Sequence, residues 1–316
     1  MPARRLLVPI ALAITICLWA GAFVAIRAAL PDLGYATLAS GRLLVAAATF
    51  ALLARRLGIT LPERSQLPLL AALGATGYTG YQLLLSAGEE TVSAGASALL
   101  FAAAPVLAAV LALPVLGERM SGRGIAGLGV AVAGVAVVGI GQGASASHGA
   151  PLVLLAALVY AIWVVLQKRA VGGMPAVQMT VWATWFGALF AVPFASGLPA
   201  AIGAGGPPLL ALVFLGVVVT TIPFLLWSWA LSQVDATVAG PCLLLIGPVA
   251  VLIAWLGLGE TPTAITLAGG AVTAAGVLLV QLAARATPPG PPSARGASGS
   301  RASGTRWRGA PRPSSA

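Results

Sequence analysis

The sequence predicts an all-α integral membrane protein of ten transmembrane helices, arranged as two inverted five-helix repeats. Three observations carry this. Apolar runs of about 20 residues, the length needed to cross a bilayer, recur along most of the chain. Threading those runs through a membrane sends the basic residues to one side. The text of the first half also returns in the second.

Composition sets the first limit. Of 316 residues, 59% are hydrophobic and only 8% charged, with a mean hydropathy of +1.00. A soluble domain carries roughly 25% charged residues, so this chain lacks the polar surface to cover a water-soluble sphere. Spans are predicted over 6–29, 35–54, 67–88, 92–116, 124–141, 150–168, 176–197, 208–231, 236–258 and 264–284. Their connections are short and leave no room for an extramembrane domain. The opening MPARRLLVPIALAITICLWAGAFVA also has the basic start and apolar centre of a signal peptide. With nine further spans behind it, it reads as an uncleaved first helix.

Cys17 and Cys242 both fall inside spans, so neither a disulfide framework nor a metal cluster is implied. The single histidine, His148, rules out a histidine-rich metal site. No cofactor motif is present, and without a G-x-x-x-x-G-K-[ST] loop the chain does not itself hydrolyse ATP.

The net charge of +10 is explained by topology rather than by nucleic acid. With the N-terminus in the cytoplasm, the inner face receives Arg4, Arg5, Arg55, Arg56, Arg64, Arg119, Arg123, Lys168, Arg169, Arg285 and the five tail arginines, 15 of the 17 basic residues. Only Arg27 and Arg42 lie toward the outside. That bias is the positive-inside pattern, and it predicts a multi-pass protein of the cytoplasmic membrane with both termini inside. From Thr287 the text becomes TPPGPPSARGASGSRASGTRWRGAPRPSSA. Such a basic Pro/Gly/Ser/Arg tail cannot bury a core and is expected to be disordered. It is either a dispensable extension or a segment resting on anionic headgroups.

The repeat divides the chain into a first unit over 1–145, a second over 146–286 and the tail over 287–316. PVLAAVLALPVLGE at 105–118 is echoed by PVAVLIAWLGLGE at 248–260, one residue shorter. Gly117-Glu118, Gly127 and Gly134 return as Gly259-Glu260, Gly269 and Gly276, displaced by 142 positions. SAGEETVSAG at 86–95 lies over LSQVDATVAG at 231–240. Five spans per unit is an odd number, so the second unit enters the bilayer upside down. Inverted repeats of this kind are a recurring architecture of secondary transporters.

The runs SAGASALLFAAAPVLAAVLALPVLGERMS, LWAGAFVAIRAAL and SGRLLVAA resemble EamA-type members of the drug/metabolite transporter superfamily. The resemblance covers residues 5 to 285. It implies ten spans in two five-helix repeats, both termini inside, and the export of small metabolites such as amino acids, sugars or nucleobases. It names a class of carrier rather than a cargo, coupling ion or oligomeric state.

Pro105 and Pro248 lack the N–H for the carbonyls of Phe101 and Leu244, so each kinks its span, either as a hinge or as static packing. Glu118 and Glu260 close their helices at opposite interfaces, as anchors onto water or a neighbouring helix N-terminus, or as substrate contacts. Gly127 and Gly134 share a helix face, as do Gly269 and Gly276, which suits close backbone packing. Arg42 lies two turns inside the second span, where an arginine costs about 2.5–3.5 kcal/mol and must face protein or a cavity. Arg27 lies nearer the outer end. Both have Asp32, Glu89 and Glu90 as possible partners, and Arg42 is either salt-bridged or a clamp for a substrate carboxylate.

The remaining cavity residues proposed from sequence are polar or aromatic at mid-span: Trp19, Tyr78, Tyr81, Gln82, Tyr160, Trp163 and Trp227. Trp19 and Tyr160 are repeat-related, and Tyr78 and Gln82 stand four apart on one helical face. Gln82 either faces a wet cavity or bonds a neighbouring helix. The aromatics either line a cavity or fill space. Trp182 and Trp185 are placed in the aromatic belt at the outer rim. All seven carboxylates lie at or near helix ends or in loops, which weakens a proton relay without excluding one through Glu89 or Glu90.

The function that follows is carriage of a small organic or amino acid-like solute across the bilayer, by alternating access to a cavity between the units. The rivals are a lipid-modifying membrane enzyme and the permease subunit of an ATP-driven importer. The first needs an acidic or metal-binding set near the bilayer. The second needs a cytoplasmic coupling loop. Neither feature is visible.

Overall fold

The computed structural model describes residues 2–116, 120–141, 148–170, 174–231, 233 and 242–286. Glu118 lies outside the described residues, as do 234–241 of the predicted ninth span and the tail from 287.

In uninterrupted apolar sequence the intrahelical ladder is the one way to pair every backbone N–H and C=O within a single segment. Every regular element among the described residues is accordingly helical. The first, α1 (Pro2–Leu53), contains both of the first two predicted spans. Its helical path breaks at Gly34, at φ 64° and ψ 158°, a backbone that glycine adopts without a Cβ penalty. α2 (Leu67–Gly74) passes through a π-helical segment (Ala75–Gly80) into α3 (Tyr81–Gly88). α4 (Ala94–Phe101) and α5 (Ala104–Leu116) share the fourth predicted span. α6 (Gly122–Gly141), α7 (Gly149–Ala170) and α8 (Ala176–Ala191) follow. After the short α9 (Leu198–Ala204) come α10 (Gly206–Val213), a second π-helical segment (Phe214–Thr221) and α11 (Ile222–Leu231). α12 (Ile246–Leu258) and α13 (Ala264–Ala286) close the described fold.

Seven helical stretches are long and apolar enough to cross a membrane, with a shorter apolar helix at Leu243–Leu258. The difference from ten has a physical source. Leu7–Leu53 counts as one stretch although Gly34 divides it, and the 67–88 helix is interrupted by its π segment. Leu52, Ile140, Leu210 and Leu256 are among many large apolar side chains left exposed on the outer surface, as lipid-facing positions require.

The prolines act differently from the mid-helix kinks expected. The fourth span is interrupted at Ala102–Ala103, ahead of Pro105, where Ala103 N bonds Leu100 O at 3.1 Å. Pro105 then sits in the first turn of α5, and Pro248 in the first turn of α12 after a 3-10 turn (Leu243–Leu245). In a first turn the missing donor has no intrahelical partner to lose. Each proline therefore opens a helix.

The π segments are placed in register with the repeat. Thr79 Oγ1 donates to Gly74 O at 3.5 Å, and Thr221 Oγ1 to Gly216 O at 3.0 Å. Both residues of the second pair stand 142 positions beyond those of the first. Each segment accommodates the extra residue of a π turn, and this rotates the side chains that follow.

Glycines bring α6 and α13 together. A methyl group built on Gly127 would stand 3.0 Å from Gly276 O, and one on Gly134 would stand 2.7 Å from Gly269 O. Methyl groups on Gly269 and Gly276 would meet the carbonyls of Gly134 and Gly127 at 2.9 and 2.7 Å. The four glycines thus form a single backbone-to-backbone crossing between the last helix of each unit.

Candidate functional site

A cavity of about 140 Å³ opens between the elements of the two sequence units. α1 contributes Trp19, Phe23 and Ile26 before its break and Arg42 after it. Tyr81 and Leu85 come from α3, Phe101 from α4, Tyr160 from α7, Thr220 from the second π segment and Phe224 from α11. Trp19, Phe23 and Ile26 share one face because they stand four and three positions apart on a helix.

An aromatic chain runs around this wall. Trp19 meets Phe224 edge-on at 5.6 Å and Trp227 at 5.5 Å between ring centroids. Tyr81 lies 5.3 Å from Tyr160, which lies 4.9 Å from Trp163. Phe101 extends the chain, meeting Tyr81 at 5.9 Å and Phe23 at 6.0 Å. Such pairs contribute about 0.5–1.5 kcal/mol each beyond their buried area, so the wall is stiff as well as apolar.

Of the residues selected from sequence, Trp19, Arg42, Tyr81 and Tyr160 line the cavity; Tyr78, Gln82, Trp163 and Trp227 do not. The π segment is the reason for two of these. It turns Tyr78 toward α8, where a methyl on Gly187 would touch its Cβ at 2.6 Å. Tyr81 takes the cavity-facing position, and Gln82, one residue on, is rotated about 100° away from it. Gln82 is 1% exposed, with neither end of its amide in hydrogen-bonding geometry. Trp163 packs over Gly77, leaving no room for a Cβ there, and Trp227 packs against Trp19 with the two rings tilted. Sequence reading missed Phe23, Phe101, Phe224 and Thr220. Thr220-Thr221, a polar pair inside an apolar run, was the available signal.

The two arginines also differ from expectation. Arg42 makes no ion pair with any described acid. Its Nη2 donates to Thr220 Oγ1 at 3.0 Å, and Thr220 in turn donates to Leu215 O at 2.8 Å. Arg27 pairs with Glu260, at 3.7 Å, and gives Nη1 to the backbone carbonyls of Glu89 and Glu90 rather than to their carboxylates. Glu260 Oε2 accepts from Ala94 N at the start of α4, at 2.9 Å. Gly259 makes this reach possible by ending α12 at φ 68°. Trp182 and Trp185 donate to Thr60 O and Ala47 O at 3.0 Å each. That places Trp182 against the 54–66 connection, which carries Arg55, Arg56 and Arg64. This is the predicted inner side, not the outer rim.

A profile of the EamA-like transporter family matches residues 7–140 and again 147–282. The chain belongs to the EamA-like transporter family. It is 38% identical over 275 residues to a protein of Streptantibioticus cattleyicolor named a probable terminal-alkyne amino-acid exporter, covering 85% of this chain and 92% of that one. An uncharacterized transporter of Bacillus subtilis, YdfC, is 33% identical over 288 residues, covering 89% and 93%. A solved crystal structure shares the fold, with a TM-score of 0.59 at 17% identity over 88% of this chain and 97% of the other. This EamA-family protein is therefore a multi-pass membrane transporter and not an enzyme.

Proposed function

We propose that this EamA-family protein exports a small organic or amino acid-like solute across the cytoplasmic membrane by alternating access. In this reading Leu7–Leu53 counts as two spans. The 67–88 and 243–258 helices complete ten, in two inverted five-helix repeats with both termini cytoplasmic. The observation that carries the reading is the central cavity, whose wall takes Trp19, Arg42 and Tyr81 from the first unit and Tyr160, Thr220 and Phe224 from the second. Two units that move against each other around a shared site expose it to one side and then to the other. The relative named as a terminal-alkyne amino-acid exporter supports both the direction and the kind of solute.

Counterflow in proteoliposomes tests this with labelled amino acids including L-propargylglycine, nucleobases, sugars and cationic drugs. Saturable exchange of at least one class, lost when the protein is omitted, is expected. An absence of exchange across the whole panel with correctly inserted protein would refute the carrier mechanism.

A further inference from the structure

One group in the cavity has no explanation within the fold. Arg42 is 4% exposed and has five N–H donors, yet among the described residues its one hydrogen bond is to Thr220, and Nε meets no partner there. No carboxylate among the described residues comes within ion-pair distance. Arg42 is also the one charged residue among the described residues of the wall. A buried cation with no counter-charge is costly, and leaving it unpaired costs more the drier the surroundings.

Glu89 forms no ion pair with Arg42, and its charge reaches the guanidinium only from a distance. It sits fully buried in the turn between α3 and α4, with both carboxylate oxygens unpartnered. Burial, and then the charge of Glu260, hold its carboxyl well above the usual carboxylate range, opposed by Arg27 and Arg42. Glu89 is thereby drawn toward its neutral form. The guanidinium is meanwhile held by Thr220, whose hydroxyl accepts from Nη2 and spends its own proton on Leu215 O in the π segment.

We propose that the transported solute carries a carboxylate on a short apolar body, and that Arg42 is the residue that binds the carboxylate. This rests on the carrier reading above and names the class of its cargo. Much of the wall fits the apolar part: Phe23, Ile26, Leu85, Phe101 and Phe224 offer no polar side chain, and the polar tips beside them belong to Trp19, Tyr81, Tyr160 and Thr220. Guanidinium geometry also suits phosphate. A phosphate dianion would bring a second negative charge for which the wall holds no cation, whereas an ammonium on a carboxylate solute can rest on the aromatic faces of the wall, so a carboxylate is the better match.

The experiment uses full-length protein in detergent and in proteoliposomes, with L-norvaline, valerate and L-norvalinamide as probes. The two acids are expected to raise the melting temperature and to compete in counterflow. The amide is expected to be weaker by about tenfold or more, the effect of losing hydrogen bonds to a charged group. Arg42→Gln should erase the preference for acid over amide. Thr220→Val keeps the charge but removes its positioning bond, and should reduce the preference severalfold. It decides the matter if Arg42→Gln does not fold. Equal binding of acid and amide by the wild type, or an unchanged preference in either folded variant, overturns the assignment. Exchange confined to solutes without a carboxylate also overturns it while leaving the carrier mechanism standing. Exchange of nothing at all, with acid-selective binding retained, strikes the carrier mechanism instead.

Discussion

Arg27 Nε stands 3.7 Å from Glu260 Oε1, and the other oxygen of Glu260 caps the first N–H of α4. Through these two residues α1, the 89–93 turn, α4 and the α12–α13 connection are tied at one end of the helix assembly. Arg27 Nη1 adds the carbonyls of Glu89 and Glu90. The junction joins parts of both sequence units next to a cavity that both line.

Loss of the Glu260 charge should weaken this junction modestly. The pair is 35% and 22% exposed, so screening limits the ion pair itself to about 1 kcal/mol or less. The cap on Ala94 is worth about 1 kcal/mol more. Glu260→Ala is expected to lower the melting temperature in detergent more than Arg27→Met does. A double variant no less stable than Glu260→Ala alone would show coupling between the two. Strict additivity would deny it.

The glycine crossing should tolerate no enlargement. Gly134→Val or Gly276→Val pushes carbon atoms into the facing backbone, where even a methyl group already comes within 2.7 Å of a carbonyl oxygen. Recovery of monodisperse protein by size exclusion should fall severalfold for either variant. Full recovery would mean that α6 and α13 separate at little cost.

Gln82→Met is expected to stabilise the protein by about 1 kcal/mol, since it removes two buried polar ends that lack partners while keeping the volume. Solute exchange should be retained, because Gln82 is not in the cavity wall. A large loss of exchange with intact folding would return Gln82 to the site.

Glu89 should make stability depend on pH. Its folded pKa is raised by burial and by Glu260, so the stabilising contribution is complete below the ordinary carboxylate range. It is lost as pH rises through the raised value, because the unfolded chain ionises first. Melting temperatures measured from pH 4 upward should fall for the wild type, and the fall should be smaller for Glu89→Gln. Parallel curves would locate the dependence elsewhere.

Much of this was legible in the residues themselves. Apolar runs too long for soluble helices, together with scarce charge, dictate helices that face lipid. The echo of Gly117-Glu118 in Gly259-Glu260 marks two units, and Trp19, Tyr81 and Tyr160 were identifiable as aromatic bulk at mid-span. Spacing failed where helical phase changed. An ideal 3.6-residue period puts Tyr78 and Gln82 together, whereas the π segment at 75–80 gives the cavity to Tyr81 instead.

The sequence by itself determined the fold class, the two-unit organisation of its text and the membrane setting, because hydropathy and periodicity are properties of a chain read in order. Only the tertiary structure decided that Arg27 meets Glu260 across 233 positions and that Arg42 finds a hydroxyl rather than an acid. Such partners are chosen by how separate helices pack and rotate against each other, and no local pattern records that choice.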